Sequence, residues 1–132
     1  MQVSSYGYGK QLKGVTLDEA KSRVSEALAK EGFGILTEID VKATLKKKLD
    51  VEFRPYVILG ACNPALAHRA LGAEPQIGLL LPCNVVIQQE GDGVTVSIAD
   101  PRAMFSLVRN PELEPVVQEA DQRLRRVLEA LS

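Results

Sequence analysis

The turn Glu90-Gly91-Asp92-Gly93 stands between two apolar runs, Ile77 to Ile87 before it and Val94, Val96 and Ile98 after it. Glycine and aspartate in this order suit a tight reversal, because they tolerate the positive φ that hairpin turns require. Val94, Val96 and Ile98 alternate with Thr95, Ser97 and Ala99, so the second run is a strand with one buried and one wet face. A hairpin makes its strands antiparallel neighbours. At least part of the sheet is therefore antiparallel, and the class expected is α+β with helices packed on one face.

The remaining elements follow from local chemistry. Val3 to Leu12 reads as a glycine-rich first strand, with Tyr6 and Tyr8 on one face and Ser5, Gly7 and Gly9 on the other. Thr16-Leu17-Asp18-Glu19 is a capping box, Leu17, Ala20, Val24, Ala27 and Leu28 keep helical spacing, and Gly32 is a C′ stop. Phe33 to Ile39 is a strand. Asp40 caps a short helix whose apolar stripe is Val41, Leu45 and Leu49, with Lys42 and Lys46-Lys47-Lys48 on a solvated face. Val57 to Ala61 is short and apolar enough for a buried strand.

Asn63-Pro64 starts a short helix over Ala65 to Leu71 that Gly72 ends, since asparagine is a favoured N-cap and proline fits N1. Ile77 to Ile87 reads as one long strand, with Pro82 marking an edge or bulge because it donates no ladder bond. Asp100-Pro101 ends the hairpin, and Arg102 to Val108 is a connector without an assignment. The last helix starts near Asn110-Pro111 or Glu114-Pro115, with a stripe of Leu113, Val116, Val117, Ala120, Leu124, Val127, Leu128 and Leu131. Glu119 with Arg123 and Asp121 with Arg125 support it at i,i+4. The order expected is β-α-β-α-β-α-β-β-α in a single domain spanning residues 1–132.

Composition excludes several functions. A net charge of −1 leaves no basic excess to neutralise phosphates, so nucleic-acid binding is disfavoured. The apolar stretches are too short to span a bilayer. Met1 to Gly7 shows no charged segment followed by an apolar one, so no leader is read and a cytoplasmic protein with reduced thiols is expected.

Chemistry concentrates in Cys62-Asn63-Pro64 and Pro82-Cys83-Asn84, which hold the only two cysteines, with His68, the only histidine, between them. Cys62 sits just before a helix N-terminus, where the dipole favours a thiolate. It serves equally as a small buried residue closing a strand. Cys83 shares parity with Leu81, Val85 and Ile87 and so faces an apolar layer, while Asn84 has the opposite parity. Cys62, His68 and Cys83 are soft enough ligands for zinc or copper, although C-x5-H-x14-C matches no standard zinc spacing and lacks an evident fourth ligand. Glu38, Asp40 and Asp100 stand at strand ends where an acid–base pair could form, but Asp40 also serves as a cap and Asp100 as a turn former. Gly7-x-Gly9 lacks the third glycine and helix start of a nucleotide fingerprint.

Taken together, several blocks resemble a known family, the small prokaryotic domain of unknown function 302. They are Glu31 to Val41, Pro55 to Pro64, Ala67-His68-Arg69-Ala70-Leu71, Gly78 to Val86 and Asp100-Pro101. The resemblance covers nearly the whole chain. It implies a curved, mainly antiparallel sheet with helices on one side, similar to the TATA-binding-protein-like arrangement, and a homodimer. It brings no activity and no catalytic residues.

These readings order the functions. First stands a dimeric module binding a small ligand or soft metal near Cys62, Asn63, His68, Cys83 and Asn84. A structural dimer without ligand comes second, and a thiol-dependent enzyme or redox sensor using Cys62 third, so the balance leans away from an enzyme.

Overall fold

The computed structural model describes residues 2–131, and for Gln2 and Val3 the backbone alone. The chain runs β1 (Gln2–Val3), β2 (Gly7–Lys13), α1 (Leu17–Lys30), β3 (Gly34–Asp40), α2 (Val41–Leu49), β4 (Tyr56–Cys62) and α3 (Pro64–Ala73). It continues with β5 (Cys83–Glu90), β6 (Gly93–Ala99), α4 (Pro101–Met104) and α5 (Glu114–Ala130). The sheet has six strands in the order β1-β2-β6-β5-β4-β3, and every neighbouring pair is antiparallel. The α+β class holds, and the expected elements follow in the expected order, with the two-residue β1 and the short α4 added to them.

Local signals act as their chemistry dictates. Thr16 and Glu19 exchange both capping-box bonds, and Gly32 takes a φ of 85°, which a side chain would resist. All eight residues of the expected α5 stripe are buried, and so are Ala20, Val24, Ala27 and Leu28 of α1. Both helices cover the face of the sheet carrying Leu59, Val85, Ile87, Val94, Val96 and Ile98, each no more than 1% exposed. Full burial of each such aliphatic side chain contributes about 1.5–3 kcal/mol. Among the described residues neither α1 nor α5 covers the opposite face, and Met104 of α4 reaches only its rim.

Four expectations change. Val3 to Leu12 is broken by a turn in which the Ser4 amide donates to the Gly7 carbonyl at 2.7 Å. Tyr6 and Tyr8 consequently part company, Tyr6 being 70% exposed and Tyr8 1%. The run expected as one strand from Ile77 to Ile87 is a 3-10 helix over Pro75–Leu80, then Leu81 and a cis-bonded Pro82, with β5 beginning only at Cys83. Its apolar character reflects burial of Ile77 against the core rather than sheet pairing. Gly72 lies inside α3 instead of ending it, and Glu74 takes the C-cap.

The fourth difference is α2. Asp40 caps it as expected, its Oδ1 accepting from the Ala43 amide at 2.9 Å. Yet the helix buries no residue, and Leu49 is 66% exposed: α2 touches β3 and β4 without joining the core. The unassigned connector after Asp100 forms α4 and a 3-10 turn over Phe105–Leu107. Asn110 caps a second turn over Pro111–Leu113 that leads into α5 at Glu114, so both anticipated starts are used.

Candidate functional site

The two cysteine-bearing blocks meet in space. In the β4–β5 ladder Ala61 pairs with Cys83 and Gly60 with Asn84, which brings the end of one block against the start of the other. Cys62 closes β4, and Asn63 then caps α3, its Oδ1 accepting from the Leu66 amide at 3.2 Å. The Asn63 side chain also donates from Nδ2 to the Glu31 carbonyl at 3.3 Å, tying α3 to the end of α1. Both ends of that buried amide are therefore spent on the fold.

Cys62, Asn63 and Cys83 line a shared apolar space of about 30 Å³ with Phe33, Leu66 and Phe105. Such a volume holds a single water and no organic ligand. Burial, with a contribution from the neighbouring Cys62, pushes the Cys83 thiol up to about 11. His68 is exposed on α3 and does not line this space. Among the described residues no group of three histidine, cysteine, aspartate or glutamate side chains could hold a metal ion. Among the described residues the two thiols stand here without a third such ligand, where a structural zinc site uses four. The Cys62, His68 and Cys83 set is not assembled.

The strand-end carboxylates are each engaged and do not form an acid–base pair. Asp40 caps α2, Glu38 pairs with Lys21 at 2.9 Å, and Asp100 accepts from the Arg102 guanidinium at 2.9 Å. Burial alone would raise the Asp100 carboxyl, but the Arg102 hydrogen bonds and the charges of Arg102 and Arg125 hold it below its ordinary range.

Asn84, with the opposite parity to Cys83, opens onto the helix-free face and lines a groove of about 510 Å³ there. This is within the size range of small-molecule sites. Strand register builds its floor in rows. Gly9, Ser97 and Val86 lie side by side across three strands, with Ile58 next in register but outside the groove, and Thr95, Gln88 and Tyr56 form the next row along. The missing side chains of Gly7 and Gly9 leave backbone as the floor on the β2 side. Tyr6 and Met104 line the groove near the end of β6, and Tyr56, Gln88 and Glu90 line it at the opposite end. At that second end Arg54 donates to Gln88 at 3.0 Å, and its guanidinium lies 4.6 Å from the Phe53 ring centroid.

Sequence reasoning placed Asn84 among the candidates but missed Tyr6, Tyr56, Gln88, Thr95 and Ser97. The signal was present as polar residues at the outward positions of β5 and β6, which read as an ordinary wet strand face until the register showed that they converge.

The sequence model of the family described as "Domain of unknown function DUF302" matches residues 8–131. Among solved structures the chain is similar to one described as "uncharacterized conserved protein DUF302 from Bacillus stearothermophilus". The likeness has a TM-score of 0.89 and 28% identity, over 98% of this chain and 100% of that one. No curated protein matches the chain. Among the described residues no helix is long and apolar enough to cross a membrane.

Proposed function

The chain belongs to the DUF302 family, and we propose that it is a small-molecule-binding module whose site is the groove on the helix-free face of the sheet. The observation that carries this reading is the groove itself, about 510 Å³ of concave surface lined by side chains from four strands and α4. A bare sheet face with no function has no need to combine a glycine floor, two tyrosines and convergent amides. Asn84 links this site to the cysteine-bearing blocks, whose other members Asn63 and Cys83 serve the fold beneath it. The test is a thermal-shift screen of a small-molecule collection against the wild type and Val86→Trp, which fills the floor. Ligands that raise the Tm of the wild type and not of the variant support the reading. A screen whose hits all act equally on both proteins contradicts it.

We infer a homodimer as a second feature, supported by a different observation. Along β3 every residue but Ile35 is exposed, and among the described residues its outer edge has no partner strand. Leu36 is 67% exposed and Ile39 48%, so apolar side chains stand exposed on the strand that forms this edge of the sheet. A second copy whose β3 pairs antiparallel with this one would satisfy both. Sedimentation of the wild type as a dimer and of Leu36→Lys/Ile39→Lys as a folded monomer supports this inference. A wild type that sediments as a monomer overturns it.

A further inference from the structure

The groove's own chemistry narrows what it takes. This step rests on the groove being the ligand site. We propose that its occupant is an uncharged, planar heteroaromatic molecule that carries both hydrogen-bond donors and acceptors around its ring edge.

Shape is the first argument. The central row of the floor is Gly9, Ser97 and Val86, a flat strip with no large side chain, and aromatic rings stand beyond it at either end, Tyr6 and Tyr56. A flat strip flanked by rings accommodates a flat ligand at little entropic cost, since a ring system has few torsions to freeze.

Charge is the second. Among the described residues Glu90 is the one charged side chain of the lining, and it stands at the far end, where Arg54 on the neighbouring segment is bonded to Gln88. Over the floor itself the described residues offer no formal charge for an ion to pair with, and an ionised ligand would lose hydration there without compensation. The lining is complementary to a neutral molecule.

Hydrogen bonding is the third. Among the described residues no protein hydrogen bond engages the side chains of Asn84, Thr95 or Ser97. Amides and hydroxyls both donate and accept. Groups of this kind placed around a flat strip match a ring edge on which donors and acceptors alternate, and they give a plain aromatic hydrocarbon nothing to bond to.

Two probes and two variants test this. Lumichrome is a neutral tricycle with donors and acceptors on its edge, and N-phenyl-1-naphthylamine is a neutral aromatic nearly without them. Each is titrated by fluorescence into the wild type, Asn84→Ala and Val86→Trp, with circular dichroism confirming that the variants fold. The expected result is that Val86→Trp loses both probes. Asn84→Ala should weaken lumichrome by roughly tenfold, the equivalent of one good hydrogen bond, and leave the naphthylamine within about twofold. If both probes respond to Val86→Trp but lumichrome binds no tighter than the naphthylamine, or ignores Asn84→Ala, the ligand class is overturned and the groove survives as a site. If neither probe binds at roughly millimolar concentration, or binding persists undiminished in Val86→Trp, the groove itself is overturned.

Discussion

The Pro82 ring packs over Gly60, its Cγ 2.8 Å from where a Cβ on residue 60 would stand, and the Thr37 hydroxyl lies closer still. This contact explains why a glycine precedes Ala61-Cys62 and why a proline precedes Cys83-Asn84. Each block keeps the other's place in the β4–β5 ladder. Gly60→Ala is therefore expected to cost about 1–3 kcal/mol, the range for overpacking a tight site. Urea denaturation checks this, and a variant within about 0.5 kcal/mol of the wild type would mean that the contact is easily relaxed.

Cys83 should be a sluggish thiol. With its thiol pushed up to about 11 by burial and the neighbouring Cys62, roughly one molecule in a thousand carries the thiolate at pH 8. In a Cys62→Ser background, reaction of Cys83 with a disulfide reagent should be slow near neutrality and accelerate about tenfold per pH unit up to pH 10. A rapid reaction at pH 8 would show that Cys83 is activated, and would revive a thiol-based function for the cysteine-bearing blocks.

Asp100 should make the fold sensitive to acid. Burial works against its charge, but Arg102 and Arg125 hold its carboxyl lower in the folded state than in the unfolded chain. A depressed folded value adds stability above the unfolded value, and that stability is lost as pH falls through the folded one. Asp100→Asn keeps a competent cap but removes the charge. It should cost ~1 kcal/mol at neutral pH, because the partner cation stands half in water. The gap should narrow below about pH 4, where the unfolded carboxyl also protonates. A difference that stays constant with pH would assign the loss to the cap instead.

Tyr8 presents an unpaid polar group. Its hydroxyl is buried and has no hydrogen-bond partner among the described residues, while the Arg125 guanidinium lies 4.9 Å from the ring centroid. Tyr8→Phe removes the hydroxyl and keeps the ring under the cation. Stability should stay level or rise by up to ~1 kcal/mol, since a buried donor without a partner is a net cost. A loss greater than ~1 kcal/mol would reveal a bound water serving the hydroxyl.

Much of the fold is written locally, and the site is not. The capping box at Thr16 and Glu19, the Asn63 and Asp40 caps, the hairpin at Gly91 and the α5 stripe each depend on residues a few positions apart, so one stretch of sequence is enough to see them. The run from Ile77 failed because buried 3-10 helix and buried strand share the same apolar composition, and Pro82 proved to be a boundary rather than an interior bulge. The exposure of α2 depends on what the tertiary fold sets against it, which helical spacing does not reveal. The groove floor joins Gly9, Ser97 and Val86 through the pairing of β2, β6 and β5. No single segment carries that relationship, and Asn84 came into view only because it stands beside a cysteine.

The most direct measurement is a backbone amide NMR titration of the wild type with lumichrome. The account predicts that shifts concentrate at Gly9, Asn84, Val86, Gln88 and Ser97, across the helix-free face, and leave Cys62 and His68 unmoved. Shifts gathered at Cys62, His68 and the start of α3 would contradict it and return the site to the cysteine-bearing junction.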